Sequence, residues 1–218
     1  MKPETKDKSP LEFWEERYEN ASGETSGRPS LALERYSKNR PTGTALDLGC
    51  AKGDDAVWLA KQSWQVLAVD ISAAALKHTA ANAARNGVEV RLEQHDLAMS
   101  FPSGEFDLIS ANFLQTPYDF PWVDVIRRAA AAIRPGGLLL AVTHERVAPW
   151  SWSEAKLDLP GAEERLADLA LPENEWKPVF VGPIDREAKG PKGERFRVRD
   201  AVIALERREH STLGATHV

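Results

Sequence analysis

The sequence predicts an α/β fold with a doubly wound, mostly parallel seven-stranded sheet that ends in a C-terminal antiparallel hairpin. Short apolar runs alternate with helical segments from Thr44 onward, and such alternation is typical of a parallel sheet with helices on both faces. Near the C-terminus two strand-like runs follow each other, which indicates a hairpin at one edge of the sheet. No repeat or low-complexity linker divides the 218 residues, so we expect one domain over residues 1–218.

The N-terminal part of the chain is predicted to be a helical lid over residues 11–40. Two short helices are expected in it, at residues 11–20 and 30–38. Trp14, Arg17 and Tyr18 lie three and four residues apart, on one face of the first helix. That face could close over a bound cofactor, and the alternative is that Trp14 only anchors the helix to the core.

Five apolar runs have the length and the boundaries of buried parallel strands. Each spans about six residues and is bounded by glycine, proline, aspartate or serine. They lie at residues 44–49, 65–70, 88–93, 106–111 and 137–142. Because ligands bind at the carboxyl ends of the strands in such sheets, we expect the functional residues there.

Helices are predicted between these strands. Ser72 is a suitable N-cap for a helix over residues 73–86, and Gly87 follows where a left-handed C-cap is expected. Another helix is expected directly after the first strand, at residues 54–62. After Pro121, apolar residues at spacings of three, four and three indicate one helix face: Val123, Ile126, Ala130 and Ile133.

The C-terminal part departs from this alternation. Residues 150–176 have a mixed pattern. Two strand-like runs follow, at residues 176–183 and 194–206. A charged, turn-rich stretch at residues 185–193 joins them. Residues 1–10 and 211–218 are polar or small and show no periodicity, so we expect them to be flexible tails.

The composition excludes several classes of site and partner. Cys50 is the single cysteine, so neither an internal disulfide nor a cysteine-based zinc site can form. No second histidine lies at metal-ligand spacing, and no metal is expected. The net charge of −5 argues against a nucleic-acid partner. Since no apolar run approaches the roughly 18 residues of a membrane span and no secretory signal is present, we expect a cytoplasmic protein without a membrane partner.

The strongest functional signal is a glycine-rich turn between a predicted strand and a predicted helix, running from Asp47 to Gly53. Glycines there permit torsions that a Cβ would forbid and let the backbone approach a ligand closely. Asp70 follows Gly49 by 21 residues, at the end of the second strand, where a carboxylate can accept hydrogen bonds from both hydroxyls of a ribose. Together these residues predict a site for an adenosine compound.

The spacing of the turn distinguishes between adenosine compounds. A dinucleotide fingerprint requires G-x-G-x-x-G, whereas here the third glycine comes one place early and is followed by Asp54, whose charge would repel a pyrophosphate. S-adenosylmethionine has no phosphate and carries an amine and a sulfonium. Asp47 and Asp54 near its amino-acid end are therefore tolerable or helpful.

Over roughly residues 43–143 the sequence resembles the class I S-adenosylmethionine-dependent methyltransferases. Their first motif, acid-x-Gly-x-Gly-x-Gly, is matched by Asp47, Gly49 and Gly53, with Ala51 in place of the middle glycine. VLAVDIS resembles the second motif, QHDL the third, FDLISANFL the fourth strand and IRPGGLLL the turn into the fifth. The layout FWxxRY, DLGCxxG and a short terminal hairpin is most similar to the small-molecule branch that includes tellurite and thiopurine methyltransferases.

The resemblance implies a Rossmann-like methyltransferase fold and S-adenosylmethionine as cofactor. It implies Asp70 on the ribose, Asp96 near the adenine amino group and Leu97 near the adenine ring. The predicted cofactor-binding residues are Asp47, Gly49, Cys50, Ala51, Gly53, Asp70, Ile71, Asp96, Leu97, Asn112, Trp14 and Tyr18. For some of these a structural role is the alternative: a cap for Asp96, a turn former for Asn112 and a packed, unreactive side chain for Cys50.

The acceptor is expected to be a small molecule that binds at the carboxyl edge of the sheet. Aromatic residues follow the fourth and fifth strands there, and they could line a pocket or belong to the core: Phe113, Tyr118, Phe120, Trp122, Trp150 and Trp152. His144, after the fifth strand, is the candidate catalytic base, with a structural histidine as the alternative. Nucleic-acid amino-methylating members of the family carry an Asn/Asp-Pro-Pro-aromatic run after the fourth strand, whereas this chain has ANFLQTPY.

The predicted activity is methyl transfer from S-adenosylmethionine to the acceptor by direct in-line displacement. Two other functions stay open on the sequence. The chain could be a non-catalytic S-adenosylmethionine-binding or partner subunit, or a NAD-dependent oxidoreductase. The second alternative is disfavoured by the early third glycine.

Overall fold

The computed structural model describes residues 8–150, 159–190 and 192–209. The helices are α1 (Pro10–Glu19), α2 (Leu31–Ser37), α3 (Asp54–Lys61), α4 (Ala73–Arg85), α5 (Trp122–Ala131) and α6 (Ala162–Leu169). The strands are β1 (Thr44–Leu48), β2 (Gln65–Asp70), β3 (Arg91–Gln94), β4 (Phe106–Asn112), β5 (Ile133–Arg146), β6 (Trp176–Lys189) and β7 (Arg195–Arg207).

The seven strands form one sheet in the order β3-β2-β1-β4-β5-β7-β6. The pairs from β3 to β5 are parallel, and β7 pairs antiparallel with both β5 and β6. The predicted fold class, with its terminal hairpin, is confirmed. The hairpin is inserted so that its second strand, β7, lies inside the sheet and β6 forms the edge.

The two faces of the sheet are covered by different helices. On one face, Leu46, Leu48 and Ile109 pack with residues of α5 and α6, including Val125 and Leu169. On the other face, residues one position along the same strands pack with α2 and α3: Ala45, Leu108, Leu33, Ala56 and Leu59. Because neighbouring residues of a strand point to opposite faces, the continuous apolar runs fill both cores.

Several predicted boundaries are confirmed and others shift. Ser72 caps α4 by accepting a hydrogen bond from Ala75 N, and Gly87 has φ 66° as expected. Helix α1 begins at Pro10, inside the predicted tail, because Ser9 and Glu12 form a capping box around its first turn. The remainder of the predicted tails, except residue 8, lies outside the described residues.

The region after β5 differs most from the prediction. Helix α6 lies within the stretch of mixed pattern. It has only eight residues, and its few apolar side chains give no clear helical periodicity. Strand β6 continues to Lys189, well into the stretch predicted to be a turn, because its charged residues pair with β7 as far as Arg195. Within the described ranges, no helix is long and apolar enough to cross a membrane.

Candidate cofactor site

The glycine-rich turn connects β1 to α3 through three residues of positive φ, namely Gly49 (73°), Ala51 (51°) and Gly53 (82°). A Cβ on Gly53 would lie 2.6 Å from Cγ2 of Thr79, and one on Gly49 would lie 2.7 Å from Cδ1 of Leu114. Packing against Thr79 therefore requires glycine at position 53, and the positive φ favours glycine at both positions. Ala51 adopts the left-handed conformation in spite of its methyl group, which costs it about 1 to 2 kcal/mol.

Asp70 ends β2 and holds the turn. It is buried, with an exposed fraction of 6%. Its Oδ2 accepts a hydrogen bond from Ala51 N at 3.0 Å, and its Oδ1 accepts one from Ser72 N at 3.0 Å. Burial raises the pKa of this carboxyl, against the lowering effect of backbone N–H donors from Ser72, Ala51 and Ile71.

Asp47 is the most deeply buried carboxylate at the turn, with an exposed fraction of 2%. Its Oδ1 accepts a hydrogen bond from Ser110 Oγ at 2.9 Å. Its Oδ2 has no donor among the described residues. Burial, and secondarily the charge of Asp55, raise the pKa of Asp47 to about 8. The site thus holds a buried carboxylate that lacks a positively charged partner in the described part of the chain.

The two aspartates at the start of α3 fix the loop that follows α1. Asp54 accepts hydrogen bonds from Ser26 N, Ser26 Oγ and Gly27 N. Asp55 accepts one from Ser30 N at 2.6 Å, and its other oxygen accepts one from Asn112 Nδ2 at 2.8 Å. The loop and the end of β4 are therefore drawn together over the turn.

Two cavities meet above the turn. One, of about 740 Å³, is polar and includes Asp47, Asp54, Asp55, Asn112, Arg17, Arg28, Cys50 and Ala51 in its lining. The other, of about 130 Å³, is mostly apolar and includes Trp14, Asp70, Ile71, Asp96, Leu97, Leu114, Tyr118 and Phe120. Both cavities are lined by Tyr18, Gly49 and Phe113. All the predicted cofactor-binding residues except Gly53 line one or both, and Gly53 supports the turn.

Helix α1 lies beside both cavities and is held by contacts distant in sequence. Trp14 and Tyr18 stack with ring centroids 6.0 Å apart. Glu15 accepts hydrogen bonds from Ser72 Oγ at 2.7 Å and from Ala74 N, at the start of α4. The hydrogen bond from the Ser72 hydroxyl is the main cause of the lowered pKa of Glu15. Sequence reasoning missed Glu15, because nothing local marks a carboxylate whose partners lie about sixty residues away.

Asp96 and Cys50, for which a structural role was the alternative, line a cavity and also make structural contacts. Asp96 lines the apolar cavity and also accepts a hydrogen bond from Ala98 N at 3.0 Å, as a turn cap does. Cys50 is buried, with Sγ 3.5 Å from Thr79 Oγ1. Burial raises the pKa of its thiol well above the usual value, which favours the unreactive form.

His144 is not among the residues that line the two cavities. Its ring stacks on Phe113 with centroids 4.5 Å apart, and its Nδ1 lies 3.2 Å from Asp200 Oδ1. Asp200 also accepts a hydrogen bond from Arg186 Nε at 2.5 Å. Phe113 thus lies against both the cavities and the His144 ring, and the catalytic role of His144 stays a prediction.

The predicted aromatic pocket divides in the structure. Phe113, Tyr118 and Phe120 line the apolar cavity. Trp122 is buried in the core at the start of α5. Trp150 packs edge-on against Phe196 of β7, at 6.1 Å between centroids, and Trp152 lies outside the described residues. In the ranges that the structure describes, no three His, Cys, Asp or Glu side chains are grouped as metal ligands.

Comparison with known proteins gives a family match in the same region. Residues 45–137 match the family model of a methyltransferase domain. The small-subunit ribosomal RNA methyltransferase C of Alcanivorax borkumensis is 33% identical over 125 residues, which are 56% of this chain and 38% of that protein. The ribosomal protein L11 methyltransferase of Thermus thermophilus is 35% identical over 119 residues, 53% of this chain and 45% of that protein. The chain therefore matches less than half the length of these relatives.

Solved structures match over a larger part of the chain. One, from a study of the conversion of a disulfide bond into a thioacetal group in echinomycin biosynthesis, has a TM-score of 0.69 at 20% identity, and covers 92% of this chain and 94% of its own. TehB from Haemophilus influenzae has a TM-score of 0.66 at 15% identity, and covers 91% of this chain and 67% of its own. At these identities the likeness establishes the fold.

Proposed function

We propose that this chain, whose residues 45–137 match a methyltransferase domain, is a class I S-adenosylmethionine-dependent methyltransferase that transfers the methyl group of S-adenosylmethionine to a small-molecule acceptor. The match to a methyltransferase domain supports the enzyme class and the cofactor. The acceptor class is our proposal, because the curated relatives whose names specify an acceptor are matched over only part of their length.

The buried, unpartnered oxygen of Asp47 carries the proposal. Asp47 and Asp55 both line the polar cavity, and burial raises both pKa values. The charge of Asp55 raises the pKa of Asp47 further, and the charge of Asp54 does so for Asp55. Bringing two carboxylates into a buried site is unfavourable unless a cation joins them. The amino-acid end of S-adenosylmethionine carries an ammonium group close to the sulfonium, and so fits this part of the cavity.

The apolar cavity suits the adenosine end of the cofactor. Asp70 lines this cavity, and we assign to its carboxylate the hydrogen bonds from the ribose hydroxyls. Ile71 and Leu97 offer apolar surface for the adenine ring, and Asp96 offers a carboxylate for the adenine amino group. Arg17 and Arg28 line the polar cavity, and either guanidinium suits the carboxylate of the methionine moiety.

The cavities also favour a small acceptor. Residues of α1 and of the loop that Asp54 and Asp55 fix line the polar cavity together with Asp47, and a small acceptor suits a cavity of this size. The chain is acidic, with a net charge of −5, and it lacks the Pro-Pro-aromatic run of nucleic-acid amino-methylating enzymes. The names of the curated relatives make ribosomal RNA and ribosomal protein the acceptors to test against this proposal.

The chemical contribution of the protein is mainly positioning. S-adenosylmethionine supplies an activated methyl group and a good leaving group. The residues around the two cavities hold the reactants in line and exclude water, which can account for most of the rate increase in such a transfer.

The test is a titration of the protein with S-adenosylhomocysteine, S-adenosylmethionine and NADH by calorimetry. We expect the first two to bind and NADH not to bind. Asp70→Ala should weaken binding by about 1 to 3 kcal/mol, or about 5- to 150-fold, through the lost ribose hydrogen bonds and through the lost hydrogen bonds from Ala51 N and Ser72 N that hold the turn. Asp70→Asn, which keeps one acceptor, should lose less. Asp168→Ala, at an exposed position of α6 that lines neither cavity, is the matched control and should bind as the wild type does.

The outcomes separate the candidate functions. Binding of NADH in place of S-adenosylhomocysteine would favour an oxidoreductase. Binding of the cofactor without turnover of small molecules, ribosomal RNA or ribosomal protein would favour a non-catalytic subunit. Turnover confined to RNA or ribosomal protein would replace the proposed acceptor class.

A further inference from the structure

A third cavity, of about 200 Å³, lies behind Phe113 on the face of the sheet that α2 covers. Its floor consists of side chains from three neighbouring strands. Val142 of β5 pairs with Val202 of β7, and Ile184 of β6 pairs with Asp200 of β7. Because paired residues, and residues two apart on one strand, point to the same face of a sheet, these side chains form one continuous surface.

The third cavity is mostly apolar and has room for one ring. Beside the valines and Ile184 of the floor, the first turn of α2 contributes Leu31 and Ala32. Leu31 is 59% exposed, so the cavity borders solvent on this side. An apolar cavity of about 150 Å³ is enough to hold a benzene molecule. The third cavity therefore suits a six-membered ring with a small substituent.

The third cavity adjoins the polar cavity of the cofactor site. Pro29, Ser30 and Phe113 line both. Phe113 has φ 57°, a left-handed conformation that bulky residues rarely adopt and that is found mainly at functional sites. Its ring is held by the stacked ring of His144 and by the guanidinium of Arg186, 5.5 Å from the ring centroid. A molecule in the third cavity would thus lie next to the cofactor.

The polar part of the third cavity is the ion pair of Arg186 and Asp200. Arg186 donates to Asp200 through Nε at 2.5 Å and through Nη2 at 3.2 Å. A guanidinium carries five N–H groups, so others can donate to an oxygen of a ligand. Asp200 balances the charge of Arg186, and a ligand carboxylate would meet the negative charge of Asp200. An uncharged carbonyl or hydroxyl oxygen fits this end of the cavity better.

We propose that the third cavity holds the methyl acceptor and that the acceptor is a one-ring molecule with an uncharged oxygen. This inference rests on the proposed function and deepens it. The ring lies on the apolar floor, the oxygen faces Arg186, and the nucleophilic atom lies beside Phe113 and Ser30, where the polar cavity begins. That atom forms a bond to the methyl carbon, the carbon–sulfur bond breaks, and its electron pair stays on sulfur to give S-adenosylhomocysteine. Any proton that the nucleophilic atom carries passes to water.

The test is a titration with three ring compounds, followed by saturation-transfer NMR. Acetophenone has one ring and an uncharged oxygen, 2-acetylnaphthalene has a second fused ring, and benzoate carries a negative charge. We expect acetophenone to bind the wild type and the other two to bind at least about 10-fold more weakly, because a second ring overfills the cavity and the benzoate charge meets Asp200. Since an acceptor binds together with the cofactor, acetophenone should also bind the protein saturated with S-adenosylhomocysteine.

Two variants locate the bound probe. Ala32→Phe fills the third cavity and should lose more than about 10-fold in acetophenone affinity. Ala32 lines neither cavity of the cofactor site, so the affinity for S-adenosylhomocysteine should be unchanged. Ala167→Phe, the same change at an exposed position of α6 that lines none of the three cavities, is the matched control. Arg186→Lys keeps the charge beside Asp200 but loses the planar fork, and should lose about 3- to 10-fold for acetophenone.

The outcomes distinguish this inference from the proposed function. No binding of acetophenone, equal binding of benzoate or 2-acetylnaphthalene, or undiminished acetophenone binding in Ala32→Phe would overturn the inference, while binding of S-adenosylhomocysteine keeps the cofactor assignment. Competition between acetophenone and S-adenosylhomocysteine would place the probe in the cofactor site and also overturn it. If Ala32→Phe loses S-adenosylhomocysteine binding through misfolding, Arg186→Lys and the wild-type comparison decide. Failure of the wild type to bind S-adenosylhomocysteine would overturn the proposed function and the acceptor role with it.

Discussion

Asp47→Asn tests whether the raised pKa of the Asp47 carboxyl is coupled to cofactor binding. With a pKa of about 8, this carboxyl is about 90% protonated at pH 7 in the free protein. An ammonium group at its free oxygen would favour the ionised form and return the pKa toward its usual range. Binding should therefore release a proton.

The expected amount follows from the pKa. If binding lowers the pKa of Asp47 by three units or more, the protein releases about 0.9 proton per ligand at pH 7 and about 0.1 at pH 9. The raised pKa also fixes the direction in which the stability of the free protein changes with pH. The stability that belongs to the protonated Asp47 is fully present below its usual pKa of 3.8, and it is lost as the pH rises through about 8.

The assay is calorimetric titration with S-adenosylhomocysteine at pH 7, in phosphate and in Tris buffer. A released proton makes the observed enthalpy depend on the ionisation enthalpy of the buffer. Asp47→Asn should remove most of this dependence and should also weaken binding. An enthalpy that is the same in both buffers for the wild type, or a proton release that persists unchanged in Asp47→Asn, would refute the coupling between Asp47 and the ligand.

Two further changes test the turn and the N-terminal helix. Ala51→Gly should raise the free energy of unfolding by about 1 kcal/mol in urea titrations, because the residue has φ 51°, and a lower stability would contradict strain at this position. Glu15→Gln should weaken the docking of α1 on α4, seen as faster hydrogen exchange in α1 at pH 7. Because the pKa of Glu15 is lowered, the stabilisation that its carboxylate gives is present above its usual pKa of 4.5 and is lost in acid. The exchange rates of the wild type and the variant should therefore become alike as the pH falls. A difference that persists in acid would exclude the carboxylate as the cause.

Much of the fold could be predicted from the sequence because its signals are local. Continuous apolar runs mark strands buried on both faces, and the cap at Ser72 satisfies donors within its own turn. The glycine-rich turn could also be predicted, since the spacing of Gly49 and Gly53 after a strand constrains its backbone. The structure adds that these glycines also make room for Leu114 and Thr79.

Other features could not be predicted, because they depend on residues distant in sequence. Glu15 reaches the start of α4, Asp55 joins the loop at Ser30 to Asn112, and Phe113 lies between the cavities and His144. The sequence by itself predicted the strands and helices as far as β5, the terminal hairpin, the adenosine site and the family resemblance. Only the tertiary structure decided which polar atoms are left without donors, because a side chain's hydrogen-bond partners are known only once the chain has brought distant segments together.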